Sequence, residues 1–361
     1  MQRREEYRSV RCRNASWLSL RALGDPRDKR QSQHWYQRFG SADLMALFAN
    51  NGARNSTFNG LHVHRAVERA PATSSPAYPS QVPGGANTVR LLRTHPSSGR
   101  TIWSAALFDS LKSLRLAGGT LSPKDYPHAS EDLLLACRTF VSNAHPKHGS
   151  ARVAVWSAIS PWAELTLREC GIANTSTTVE WNPPLSEDPT FQTIGQQELL
   201  AAYEHGDAQF DVIASFSGIE HDGFGRYGDP LDPQGDMAAV EEMALCLKPG
   251  GLLFLGIPTG LPEDMRFPIG RQYGRVRLPQ LIRRSGLELV GRVWDGQVVM
   301  GDLQQADVAP TLWPVSVPCG ALHHPQWNQC VPGMQPGHAL VSGKGLLWWQ
   351  HQPVLVLKKP V

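Results

Sequence analysis

The stretch that most narrows the choice of fold runs from Phe210 to Gly260. Phe210, Asp211, Val212, Ile213 and Ala214 form a short apolar run broken once by an acid, the pattern of a strand buried on both faces. A polar, glycine-rich loop follows. Asp236 is placed to cap a helical run, Met237 to Leu247, in which Val240, Met243, Ala244 and Leu247 recur three and four apart, so one stripe can face a sheet. Lys248-Pro249-Gly250-Gly251 stops it, and Leu252 to Ile257 reads as a second buried strand. Strand, loop, helix, turn and strand in that order require a parallel pair joined by a right-handed crossover. Ligands of such sheets sit at the carboxyl ends of the strands, which points to the loop from Ser215 to Gly235.

The rest of the chain fits around this unit. Ala151 to Trp156 reads as a first strand; Ser160 is a cap with Pro161 at the first helical position, and the helix runs to Cys170, where Gly171 can close it in the left-handed conformation. Thr177 to Glu180 is a second strand ending in an acid, Thr190 to Ile194 a third, and Gln196 to Tyr203 a helix. After the central unit come a helix, Leu278 to Ser285, and a sixth strand, Leu287 to Trp294. Gln352 to Lys358 reads as the last strand. Upstream, Thr101 to Leu116 and Ser130 to Val141 have helical spacing, with Ser130 as the second helix's cap.

The expected organisation is an irregular N-terminal arm over 1–100, a helical lead-in over 101–145, a core over 146–300, an irregular Pro-, Gly-, His- and Trp-rich insertion over 301–345, and a final core strand within 346–361. Within the arm, a short helix is expected after Ser41 and a linker over Pro71 to Asn87, too poor in apolar residues to fold by itself.

Composition limits the partners. Net charge is +3 with both signs mixed, which argues against nucleic acid and anionic membrane as partners. No apolar run is long enough for a membrane span, and the start MQRREEYRSVRCR lacks the apolar core of a signal peptide. Six scattered cysteines, without a CxxC pair, indicate neither a zinc site nor a dense disulfide framework, and reduced thiols in a cytoplasmic setting are the expectation. The basic, serine-containing first 40 residues also have the composition of an organellar transit peptide, against which Glu5 and Glu6 stand. Asn14, Asn55 and Asn174 begin Asn-x-Ser/Thr triplets, which carry weight only if the chain enters a glycosylating compartment.

Two phrases carry a resemblance. LKPGGLLFLGIP looks like the segment before and through the fifth strand of class I S-adenosylmethionine-dependent methyltransferases. SGIEHDGFGRYGDPLDPQGD, within a resemblance spanning roughly Ala151 to Trp294, is similar to domain of unknown function family 268, itself methyltransferase-like. The resemblance implies a Rossmann-like α/β fold: a mostly parallel sheet with helices on both faces and an antiparallel last strand beside the sixth. It also implies methyl transfer from S-adenosylmethionine to oxygen or nitrogen of a small polar acceptor, such as a saccharide. The alternative is a methyltransferase-shaped binding or scaffold protein without catalysis.

Carried to this sequence, the cofactor-binding expectations are Ser157, Ala158 and Ser160 in the first turn, which lacks the family's usual glycines, Glu180 for the ribose hydroxyls, Gln196 near adenine and Ser215 after the fourth strand. Glu180 could equally be a solvated acid at a strand end. His221 with Glu220 is the candidate general base, since imidazole titrates in the useful range; the same histidine could instead pin its loop. A metal reading through a Glu-x-x-Glu-His phrase lacks its first ligand, replaced by Ser217, so no metal is assigned. Arg226, Tyr227 and Asp229 could line an acceptor pocket or be held by the loop's own fold, Arg226 against Asp229. Arg271 and Tyr273, carried over with them as acceptor-binding residues, match the family's phrase Asn-x-His-Arg-x-Tyr-Gly, whose Asn and His positions are Pro268 and Gly270 here.

Overall fold

The computed structural model describes residues 99–301, apart from 124–125, 127, 142–148, 225–228, 230–231, 261–263, 268–269 and 275–276, together with 351–361. It also gives short strands at His62–Arg65, Arg93–Thr94, Ser316–Val317 and Ala339–Leu340. Most of the expected N-terminal arm, with its helix and linker, and most of the insertion therefore lie outside the described residues.

Eight strands form the main sheet: β1 Val153–Trp156, β2 Ser176–Val179, β3 Phe191–Ile194, β4 Phe210–Phe216, β5 Leu247–Gly256, β6 Glu288–Trp294, β7 Gln297–Met300 and β8 Val354–Lys358. Their order across the sheet is β3-β2-β1-β4-β5-β8-β6-β7. β1 pairs in parallel with both β2 and β4, β3 with β2, and β5 with β4, while β8 lies antiparallel between β5 and β6. The first seven strands of that order, with the antiparallel strand inserted next to last, are the class I methyltransferase arrangement expected from the resemblance. β7 adds a hairpin at the edge.

Six helices cover the two faces: α1 Ala105–Leu116, α2 Ala129–Phe140, α3 Trp162–Glu169, α4 Gln196–His205, α5 Gly235–Cys246 and α6 Arg277–Ser285. The strict alternation of side chains along a strand divides the core into two layers. Ala154, Trp156, Ile213, Leu253, Leu255, Leu355 and Leu357 join Leu199, Val240, Met243 and Leu281 on the α4, α5 and α6 side. Val153, Val155, Val212, Ala214, Phe254, Val354 and Val356 join Leu107, Leu133, Ala163 and Leu167 on the α1, α2 and α3 side. Strands buried on both faces must be apolar at nearly every position, which is why β1, β4, β5 and β8 read as continuous runs.

Local expectations shift in four places. Thr101–Trp103 is a strand, and the helix after it starts at Ala105, capped by Ser104, whose Oγ accepts from Leu107 N at 3.2 Å. Ser130 lies inside α2 behind His128, and its Oγ accepts from Leu121 N at 3.1 Å. Lys248-Pro249-Gly250-Gly251 opens β5 instead of separating it from the helix. Asp236 does not cap α5; it sits in the first turn, fully buried, because two arginines claim its carboxylate. The expectation of reduced thiols is also corrected: Cys137, in the last turn of α2, is bonded to Cys170, which follows α3, across a Cα–Cα distance of 6.4 Å.

Candidate active site

β1 leads through α3 to β2 on one side, whereas β3 returns through α4 to β4 on the other. The sheet thus reverses between β1 and β4, and the carboxyl ends of strands at such a reversal are where ligands of these sheets bind. Both strand ends carry a non-glycine residue in the left-handed region: Ser157 at φ 61° and Ser217 at φ 50°. Such residues cost about 1–3 kcal/mol each and concentrate at functional turns. The close approach that a first-turn glycine would provide comes from the neighbouring loop: a Cβ on Gly218 would fall 2.3 Å from Ser157 Cβ.

Of the first-turn residues, Ser157 is part-exposed, whereas Ala158 is buried in the α1–α3 layer and Ser160 is buried as well. Trp156 and Trp162 belong to the two hydrophobic layers, Trp162 packing edge-on to Phe216 at 5.3 Å. Ser215, in register with Trp156, is 1% exposed, and its Oγ has no hydrogen-bond partner among the described residues. Gln196 begins α4; its side chain lies outside the described residues.

Glu180 follows β2 and faces the loop beyond β4. Burial raises its carboxyl to about 7 against the N–H groups of Trp181 and Asn182, and the charge of Asp229 pushes the same way. Asp222 is pushed well above the usual carboxylate range by burial, then by Asp229 and Glu180, with Arg271 opposing. Three part-buried carboxyl groups, from the second strand's end and the loop beyond the fourth strand, are therefore close enough to raise one another. Asp229 also shapes that loop, its Oδ2 accepting from Gly223 N at 2.7 Å. Gly223 has φ +83°, and a Cβ there would lie 1.8 Å from Asp232 O, so only glycine fits this turn.

Beyond β4, Glu220 is 2% exposed and its Oε1 lies 3.5 Å from His221 Nε2, while His221 is part-exposed. Ser217 Oγ donates to Glu220 Oε1 at 2.7 Å, accepts from Gln352 Nε2 at 3.0 Å and lies 2.9 Å from the Tyr126 hydroxyl. Gly270 leaves room for the imidazole, since a Cβ there would lie 3.1 Å from Nδ1. A buried carboxylate beneath an accessible imidazole can orient the ring and stabilise its protonated form.

Arg271 and Tyr273, expected to touch an acceptor, are instead enclosed beneath the loop with no exposed surface. Arg271 Nη1 donates to the carbonyls of Glu220 at 3.2 Å and Asp222 at 2.7 Å, and its guanidinium lies over the Phe224 ring at 4.1 Å. Tyr273 donates to Asp236 Oδ2 at 2.9 Å, and Arg277 grips the same carboxylate at 2.8 and 2.5 Å. Although burial opposes ionisation, Arg271 and Arg277 hold Asp236 down to about 2. This ion cluster anchors the loop carrying Glu220, His221 and Asp222. Arg226 and Tyr227 lie outside the described residues.

Several residues at this edge carry no motif. Tyr126 comes from the segment before α2, Thr259 follows β5, and His351 and Gln352 precede β8. Buried His351 is lowered to about 4 by desolvation; its Nδ1 lies 3.0 Å from Thr259 Oγ1, and its ring meets Trp294 at 4.5 Å. Because β8 runs antiparallel, its start must lie at the carboxyl edge of its neighbours, which is the signal that places His351 and Gln352 here.

The strand order, with its antiparallel strand next to last, defines a class I methyltransferase-like α/β protein. Within that class, residues 150–309 match the model of the family described as "Caenorhabditis protein of unknown function, DUF268". No curated protein matches the chain. Among solved structures, the complex between the Haloferax volcanii Trm112 methyltransferase activator and the putative methyltransferase is similar at 13% identity, covering 70% of this chain and 98% of that one, with a TM-score of 0.36. Burkholderia thailandensis 1,6-didemethyltoxoflavin-N1-methyltransferase, bound to 1,6-didemethyltoxoflavin and S-adenosylhomocysteine, is similar at 13% identity over 75% of this chain and 94% of its own, TM-score 0.35. The N-methyltransferase NodS from Bradyrhizobium japonicum WM9, with S-adenosyl-L-homocysteine, is similar at 13% over 70% and 98%, TM-score 0.33. The fold assignment rests on the strand order itself. Among the described residues, no helix is long and apolar enough to cross a membrane.

Proposed function

We propose that the carboxyl edge of the sheet binds S-adenosylmethionine and that the protein transfers its methyl group to oxygen or nitrogen of a small polar acceptor such as a saccharide. The observation that supports this most is the convergence of Glu180 with Asp222 and Asp229 at the switch point of a sheet with methyltransferase strand order.

Three features fit the cofactor. The cluster of Glu180, Asp222 and Asp229 complements a ligand carrying an ammonium and a sulfonium. Glu180, once ionised, accepts both ribose hydroxyls. Ser215 brings an unsatisfied hydroxyl to the end of the central strand. Bound there, the cofactor supplies an electrophilic methyl on a positively charged sulfur. His221 then takes the acceptor's proton as the new bond forms, and Glu220 stabilises the resulting imidazolium at 3.5 Å. Ser217, bonded to Glu220, Gln352 and Tyr126, holds the carboxylate in place. Arg271, Tyr273 and Asp236 act as positioning residues for the loop.

The buried Ala158 and Ser160, in a first turn without glycine, favour a second reading in which the fold binds a small molecule without catalysis. Incubating the protein with methyl-tritiated S-adenosylmethionine and a panel of sugars and sugar nucleotides separates the two. Transfer that is lost in His221→Ala but with cofactor binding kept supports the enzyme. Binding without transfer to any acceptor supports the second reading.

A further inference from the structure

The triplet Asn174-Thr175-Ser176 acquires context from its surroundings. It lies four residues beyond Cys170, whose disulfide to Cys137 ties α3 to α2. Gly171 turns the chain at φ +80°, Ile172 and Ala173 are buried, and Asn174 and Thr175 are exposed before Ser176 enters β2. The backbone around the asparagine is held: Arg168 Nη2 donates to Asn174 O at 2.9 Å, and Ser176 N donates to Thr190 O at 3.0 Å. The side-chain amide lies over Gly149, where a Cβ would come within 2.7 Å of Asn174 Nδ2. Glycine at that position leaves the amide clear.

Disulfides persist in oxidising compartments, which are also where Asn-x-Ser/Thr triplets are modified. We propose that Asn174 is an N-linked glycan acceptor in a chain that matures in such a compartment. The amide nitrogen of Asn174 forms a bond to the anomeric carbon of an oligosaccharide carried on a lipid pyrophosphate. The bond from that carbon to the pyrophosphate oxygen breaks, its electron pair leaves with the lipid pyrophosphate, and one amide proton passes to a carboxylate base of the glycosylating enzyme. Cys137 and Cys170 together give up two protons and two electrons to a protein disulfide donor.

The site tolerates the added mass for a topological reason. Asn174 precedes β2, so it sits at the amino edge of the sheet, opposite the candidate site beyond β2's carboxyl end. A glycan on the exposed Asn174 therefore sits at the edge away from Glu180 and His221. The order of events follows from burial: Ser176, whose hydroxyl the glycosylating enzyme must recognise, is 7% exposed with its Oγ enclosed, so transfer precedes the docking of β2. Asn14 and Asn55 begin similar triplets outside the described residues.

The test uses the full chain, tagged and isolated from the cells that make it. Peptides are mapped after alkylation without reductant, and after peptide N-glycosidase in heavy-oxygen water. The expected result is an Asn174 peptide converted to heavy-oxygen aspartate, and Cys137 and Cys170 recovered as one disulfide-linked pair. The glycosidase-sensitive gel shift assigned to this peptide is lost in Asn174→Gln and in Ser176→Ala but kept in Thr175→Val, a contrast that a folding defect alone would not produce. An unmodified Asn174, or Cys137 and Cys170 both alkylated without reduction, overturns the proposal. Neither result bears on cofactor binding at the opposite edge.

Discussion

Glu180 has two competing demands on its carboxyl. Burial and the neighbouring Asp229 favour the neutral form, whereas accepting both ribose hydroxyls needs the anion. With a free-state value of about 7, affinity for S-adenosylhomocysteine should fall roughly tenfold for each pH unit below 7 and level off above it. Titrations between pH 5.5 and 8.5 check this, and Glu180→Gln should bind more weakly and with a flatter profile. Glu164 provides a stability counterpart away from the candidate site. It is 1% exposed, accepts from Thr178 Oγ1 at 2.6 Å, and is raised by burial from 4.5 to about 7. Its contribution is fully present below pH 4.5 and is lost as pH rises toward 7, a difference of about 3 kcal/mol. Glu164→Gln should therefore be near neutral at pH 4 and raise Tm at pH 8; a fall at pH 8 would contradict the assignment. Glu180 was legible in the sequence as an acid ending the second strand. Asp222, His351 and Gln352 were not, because their relevance comes from which edge of the sheet their elements reach.

Helices and strands were legible where both faces are buried, and boundaries failed where side chains made unforeseen bonds. The proline and glycines after α5 do interrupt the β4–β5 ladder, which pairs Phe210 with Leu247 and resumes at Val212 and Leu252; the residues alone do not show that the strand already begins at Leu247. Asp236 read as a cap because Arg271 and Arg277 lie far away in sequence. Removing that carboxylate's charge in Asp236→Asn leaves two buried guanidinium groups poorly compensated, an expected loss of about 3–5 kcal/mol in denaturant unfolding. The disulfide between α2 and α3 was equally invisible, since spacing does not reveal which helices lie side by side. Closing a loop with a sequence separation of 33 should contribute about 3–4 kcal/mol, so Cys137→Ala with Cys170→Ala should unfold correspondingly earlier than the oxidised protein and match it after reduction.

At the scale of the molecule, the alternation of apolar runs and amphipathic helices specified the sheet and its parallel body, because that order buries apolar faces while obeying crossover handedness, whereas the antiparallel late strand was legible only through the family resemblance. The chemistry was less legible, since it depends on loops whose side chains meet only after folding. The central claim is that Glu180 and the loop beyond β4 border a cavity that admits an adenosyl sulfonium. Calorimetric titration of the full chain with S-adenosylhomocysteine at pH 8 tests it most directly. The expected result is micromolar binding that weakens by about 100-fold or more in Glu180→Ala, the loss of hydrogen bonds to a charged acceptor. No heat at millimolar ligand, or the same affinity in Glu180→Ala, would contradict it.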